Sequence, residues 1–238
     1  MSPARRPPAA GRDWARTGAP ARRRLSHAQR EEEIVREAVG FFAEFGFEGQ
    51  TRELAKRLNI TQPLLYRYFP TKDALVERVY QEVFLRRWNP FWEETIRDPS
   101  RPLRERLIAF YTDYATAILT YEWIRLFMFA GLKGLDFNTR YLDLLRERVF
   151  ALIVAQLRDE FGRPPLAERP VTAPEVEAIW SLHAGIFYLG VRKFVYNMPV
   201  DDVSAIVAMK VRLFLDGART VIGVEETAPP ASLQRRDR

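Results

Sequence analysis

Between Thr61 and Phe69 the sequence gathers side chains able to recognise another molecule. If this stretch is a helix with Leu65 and Phe69 inward at i and i+4, then Gln62, Pro63, Tyr66 and Arg67 point outward, with Tyr68 at the rim. A carboxamide can read an adenine edge. A guanidinium can read guanine or bind phosphate, and tyrosine hydroxyls can bond phosphate oxygens. This is recognition chemistry rather than bond-breaking chemistry. The competing reading is a helix that packs its tyrosines against another element.

Other chemistries find little support. With no cysteine, the chain has no disulfides, thiolate metal sites or Cys nucleophiles, which suits a reducing compartment. His27 and His183 are the only histidines, so a His-rich metal site is excluded. There is no Gly-rich phosphate loop, G-x-S-x-G, H-E-x-x-H or carboxylate–histidine cluster. No cofactor, metal or catalytic residue is therefore expected. Residues 1–28 hold no apolar signal-peptide core. The stretch Ile118–Leu132 is interrupted by Glu122 and Arg125, and is shorter than the roughly 18–20 residues of a spanning helix. A cytoplasmic protein with no membrane partner is expected. Two alternatives to nucleic-acid binding stay open: an all-α small-molecule enzyme, and a membrane-surface binding protein using a basic arm and amphipathic helices.

Charge placement favours a polyanion partner. The net charge is +6, yet residues 1–30 hold eight arginines against the single acid Asp13. A basic tail on a nearly neutral body suits nucleic acid or an anionic membrane, and also a solvated leader without a partner. Residues 31–75 contain six basic and eight acidic side chains, a poor anchor for DNA. The upstream arginines are therefore expected to supply phosphate or minor-groove contacts.

Residues 1–28 read as a disordered Arg-rich arm. From Gln29 the period is helical, with Ile34, Ala38, Phe41, Phe42 and Phe45 on one face. Gly46 supplies a left-handed stop, and Phe47 packs back on the last turn. Thr51 reads as the N-cap of a helix carrying Leu54, Ala55 and Leu58 inward, and Asn59 as its left-handed end. Thr61 caps the next helix, with Pro63 in its first turn and Ile60 and Leu65 at staple spacing. After Pro70, Thr71 caps another helix through Leu75, Val79 and Val83. Short helices joined by a tight turn and flanked by longer ones make a helix-turn-helix over residues 29–75.

At these residues the chain resembles the TetR family of regulators, from Glu33 to Tyr80, about a fifth of its length. The resemblance is carried by the aromatic first helix ending in Gly46-Phe47, and by Thr51, Leu54 and Ala55. It continues through Ile60-Thr61, the run Leu65-Tyr66-Arg67-Tyr68-Phe69, and Thr71-Lys72-Asp73. It implies that the helix from Gln62 enters a DNA major groove. Base-edge or phosphate roles would then fall to Gln62, Pro63, Tyr66, Arg67 and Tyr68, and phosphate contacts to Thr51, Arg52, Thr61 and Lys72. Two departures stand out: Gly46–Leu54 is one residue shorter than the commonest spacing, and Asn59 stands where glycine is usual.

Residues 76–224 read as further helices with no strand pattern, so the fold class is all-α, a helix-turn-helix domain followed by a larger helical domain. Pro90 breaks the fourth helix beside Trp88, Phe91 and Trp92, a hinge or core cluster. Ser100 caps a helix bearing Leu103, Leu107, Phe110, Tyr111, Tyr114 and Ile118. A short helix spans Glu122–Ala130, and a long one spans 139–161 with Gly162 as its stop. Thr172 and Glu175 form a capping box for a helix from about 173 to Tyr196, and Asp201 caps the last. Residues 225–238 read as a flexible tail. The middle helices are expected to enclose a cavity for a small apolar or aromatic effector, lined by Phe110, Tyr111, Tyr114, Phe127, Phe129, Trp180, His183 and Phe187. A core role competes for each of these residues. Arg125 is either an anion partner or part of a solvated face. The last two helices resemble the pair that forms the family's dimer bundle, which implies a homodimer on a double-stranded, palindromic operator. Repression is likewise implied only by the resemblance.

Overall fold

A computed structural model describes residues 26–224. The described residues are helical and contain no strand. The Arg-rich stretch 1–25 and the tail 225–238 lie outside them. Helix α1 (His27–Phe45) starts two residues before the helical period is evident, because Ser26 caps it. The Ser26 hydroxyl accepts from the Gln29 N–H, and the Gln29 side chain accepts from the Ser26 N–H. Gly46 follows at φ 74°, ψ 176°, outside the left-handed helical region but still in territory that favours glycine. Phe47 packs back on Phe42 as expected, ring centroids 5.5 Å apart. Phe45 departs from the expected inward face: it is 52% exposed, with the Arg57 guanidinium over its ring.

Helices α2 (Thr51–Arg57), α3 (Gln62–Tyr68) and α4 (Lys72–Tyr80) complete the N-terminal unit. Asn59 takes φ 52°, and Thr61 and Thr71 cap α3 and α4 by accepting from Leu64 and Ala74 N–H. Thr51 does not cap α2. Gln50 holds that position without a side-chain bond, and the Thr51 hydroxyl is engaged with α3. The short turn into α2 also brings Gly49 onto the Phe41 ring. A Cβ at Gly49 would lie 2.5 Å from Phe41 Cε1. Phe41 is itself buried and has no room to retreat. Gly49→Ala is therefore expected to destabilise the fold by about 1–3 kcal/mol, read as a lower urea midpoint.

Helix α4 continues through a π-helical turn, Gln81–Leu85, and ends before Pro90. Next come α5 (Phe91–Arg97), α6 (Leu103–Ile118) and α7 (Tyr121–Lys133), followed by α8 (Phe137–Leu145). A second π turn, Arg146–Phe150, joins α8 to α9 (Ala151–Glu160), making the long helix expected there. Trp92 is core and donates to Asp113 at 2.6 Å, whereas Phe91 is exposed. Ser100 does not cap α6. It folds back on Asp98, and Pro102 holds the cap position. Thr120 caps α7.

Thr172 and Glu175 form the expected box at the start of α10 (Ala173–Phe194). The last helix, α11 (Val203–Ala218), is capped by Asp202 rather than Asp201. α7 packs on α1, while α11 packs on α6 and α10. One apolar core runs through both parts of the chain, from Ile34 and Leu65 to Tyr141 and Ile186. No helix among the described residues is long and apolar enough to cross a membrane.

Candidate nucleic-acid interface

Helix α3 presents the expected face. Leu65 and Phe69 are buried, which fixes the helix from behind. Pro63, Tyr66 and Arg67 are exposed, Gln62 and Tyr68 half-buried. Thr61 is exposed at the cap, and Lys72 is half-buried in the first turn of α4. Arg52 is exposed on α2. Gln62 and Tyr66 lie one turn apart and so share a side of α3.

Thr51 sits behind this face rather than on it. It is 7% exposed, and its hydroxyl is held from α3. Gln62 Nε2 donates to Thr51 Oγ1 at 3.0 Å, and Thr51 Oγ1 and Tyr66 Oη are 3.0 Å apart in a second hydrogen bond. At the rim, the His27 ring stacks on Tyr68 with centroids 4.4 Å apart. The first turn of α1 thus packs beside the same helix. This stack escapes sequence reasoning, because His27 falls where composition suggests an unstructured arm.

The effector-cavity candidates divide. Phe110, Tyr111 and Tyr114 are fully buried on α6. Tyr141 donates to Tyr114 Oη at 3.1 Å, and Tyr114 Oη lies 3.4 Å from His183 Nε2. The His183 ring also meets Tyr111, Phe150 and Trp180. Phe127 and Phe187 meet edge-to-face, centroids 5.5 Å apart. Trp88, Trp123 and Tyr141 belong to the same aromatic cluster, although sequence reasoning did not place them there. Phe129 belongs elsewhere. It packs against Gly46, at the contact of α7 with α1.

Burial pushes His183 down to about 4, so its imidazole is neutral near pH 7. Burial likewise raises the Tyr111, Tyr114 and Tyr141 hydroxyls, which stay protonated. Tyr111 Oη, His183 Nδ1 and the indole N–H groups of Trp88 and Trp123 are buried without a hydrogen-bond partner. A groove of about 720 Å³ opens elsewhere and is more charged, with Arg36, Arg78, Glu82, Arg86 and Glu122 among its walls.

Arg125 is half-buried and bonded to backbone. Its Nε donates to Ala43 O at 2.6 Å and its Nη2 to Glu44 O at 3.3 Å, at the C-terminal end of α1. A cation there satisfies carbonyls that the helix leaves free and suits the negative end of its dipole. The next turns of α7 carry Trp123 and Phe127 into the aromatic cluster. One helix therefore touches both the cluster and the base of the N-terminal unit. No group of three or more His, Cys, Asp or Glu among the described residues is arranged to hold a metal.

Residues 34–79 match the family model described as bacterial regulatory proteins, tetR family. The fold is similar to that of a TetR-like transcriptional regulator from Rhodococcus sp. RHA1, at 21% identity, covering 82% of this chain and 100% of that one, with a TM-score of 0.60. It is similar also to a tetR-family transcriptional regulator from Streptomyces coelicolor, at 16% identity, covering 82% of this chain and 84% of that one, with a TM-score of 0.56. A TetR family transcriptional regulator from Pseudomonas syringae pv. tomato str. DC3000 gives 19% identity, coverage of 81% and 97%, and a TM-score of 0.54. No curated protein matches the sequence.

Proposed function

We propose that the chain is a DNA-binding transcriptional regulator of the TetR family, a cytoplasmic homodimeric repressor released from a palindromic operator by a small apolar or aromatic ligand. In this reading the chain acts by binding DNA, in place of the all-α enzyme alternative. The observation that carries the DNA reading is the exposed face of α3, with Leu65 and Phe69 buried behind it. In this reading Gln62, Pro63, Tyr66, Arg67 and Tyr68 meet bases or phosphates, and Arg52, Thr61 and Lys72 meet phosphates.

Dimerisation is assigned to α10 and α11. Tyr188 and Met209 are exposed there, and Leu213 is 65% exposed. Leu182, Gly185, Leu213 and Phe214 line a shallow groove between the two helices. A dimer would bury this apolar surface and set two α3 helices at the spacing of successive major grooves.

The effector is assigned to the aromatic cluster around His183, where neutral hydrogen-bonding groups stand among apolar rings. Binding that shifts α7 would be passed to α1 through Arg125. Only a ligand that binds the two states unequally can lower DNA affinity this way.

The test is a gel shift with genomic fragments, including the gene's own upstream DNA, at two salt concentrations. Selective and salt-sensitive shifts are expected, from a protein that sediments as a dimer. Leu213→Asp is expected to yield monomers and to lose the selective shift. Liposome binding without any DNA preference would instead favour the membrane-surface alternative and overturn the proposal.

A further inference from the structure

We infer that Thr51 is a positioning residue for base recognition, its hydroxyl fixing the Gln62 carboxamide and the Tyr66 phenol in one orientation. This rests on the DNA reading of α3. A threonine hydroxyl offers one hydrogen and two acceptor sites. The Gln62 amide donates into Thr51 Oγ1 at 3.0 Å, which uses one acceptor site. The hydroxyls of Thr51 and Tyr66, also 3.0 Å apart, share a second hydrogen bond in which either can donate.

The resulting chain runs from Gln62 to Thr51 to Tyr66. The Tyr66 phenol is held from behind whichever hydroxyl donates, and when Thr51 donates, Tyr66 keeps its own O–H for the partner. Gln62 keeps its carbonyl oxygen and one N–H for the partner, the pair an adenine edge requires. Both side chains otherwise lose rotamer freedom only on binding, at about 0.5–1.5 kcal/mol for each immobilised rotamer-rich side chain. Holding them beforehand moves that ordering into the folded state.

A phosphate role for Thr51 needs its hydroxyl at the surface. The structure turns it inward instead, at 7% exposure. The short turn through Gly49, which seats α2 against Phe41, goes with this placement.

The experiment presents a randomised duplex library to full-length wild type, Thr51→Val and Thr51→Ser. It reads the sequence preference, the salt dependence on the preferred duplex, and Tm. Thr51→Val keeps the branched shape and removes the hydroxyl, and Thr51→Ala serves if valine disturbs α2. The hydroxyl-free variant is expected to lose about tenfold discrimination at the base pairs nearest Gln62, with an unchanged salt slope and Tm. Thr51→Ser is expected to retain the wild-type preference. In a Gln62→Ala background, removing the hydroxyl is expected to add nothing at those base pairs.

A uniform loss over all sequences, with a shallower salt slope, would make Thr51 a phosphate ligand and overturn the inference. So would an unchanged preference in a hydroxyl-free variant of a selective wild type. A wild type that selects no duplex would overturn the DNA reading itself, and this inference with it.

Discussion

Replacing Glu175 by glutamine is expected to cost about 3–5 kcal/mol of folding stability, because it leaves a buried cation without its counter-charge. Arg158 and Glu175 are each 1% exposed. Arg158 Nε and Nη2 donate to the two carboxylate oxygens at 2.7 and 2.6 Å. The same guanidinium donates to the carbonyls of Pro164, Arg169 and Pro170. Glu175 also accepts from the Thr172 N–H and hydroxyl and from the Gly223 N–H. One ion pair thus ties the end of α9, the loop before α10 and the turn after α11. Glutamine keeps the shape, but it removes the charge and turns an N–H₂ toward a donor. A double replacement, Arg158→Met with Glu175→Leu, is expected to be milder than either single change, since no orphaned charge remains.

The same pair sets a pH dependence. Burial alone would raise the Glu175 carboxyl. The bonds from Arg158, from Thr172 and from the Gly223 N–H outweigh it and hold the group at about 2, below its ordinary 4.5. A carboxyl lowered in the folded state contributes stability that is full above its unfolded value and is lost as pH falls toward the folded one. Wild type should therefore lose this contribution between about pH 4.5 and 2, and Glu175→Gln should lack it throughout that window. Urea melts of both proteins at pH 7 and pH 3 measure it. Equal losses in the two would mean that the ionised carboxylate does not stabilise the fold.

Local signals were legible where the chain closes its own hydrogen bonds. Thr61 and Thr71 cap their helices, Asn59 turns left-handed, and Thr172 with Glu175 forms a box, all within four residues. Contacts between distant segments were not. Glu175 reads in sequence only as a capping residue, and nothing near it announces Arg158. Arg125 reads as an anion partner or part of a solvated face, yet it serves carbonyls 82 and 81 residues upstream. Thr51 has the residue type of a cap, but it lies inside the helix with its hydroxyl toward α3. The π turns that let α4 and the α8–α9 helix continue leave no residue signature of their own. His183 reads as either cavity lining or core, and it is buried with Nε2 near Tyr114 and Nδ1 unpartnered. The proposed DNA face was thus legible in its residues, and its bracing from behind was not.

Tyr66→Ala combined with Lys72→Ala is expected to reduce DNA binding to its non-specific level while leaving the fold intact. Losing a base-directed contact costs about 1–3 kcal/mol, and losing a charged phosphate contact about 1.5–3. A symmetric dimer loses each twice, about 5–12 kcal/mol in all, which matches or exceeds the roughly 4–10 kcal/mol separating specific from non-specific binding. The fold has little at stake in either side chain. Tyr66 is 36% exposed, and Lys72 is a cation at the positive end of α4, where its removal relieves a mild repulsion. Helical content and dimer mass should therefore stay at wild-type values, while selective shifts vanish and the salt dependence becomes shallower. If the double variant unfolds, these two residues hold the protomer together rather than face DNA. If it folds and still selects the same fragments, α3 is not the surface that reads them, and recognition must be sought elsewhere on the chain.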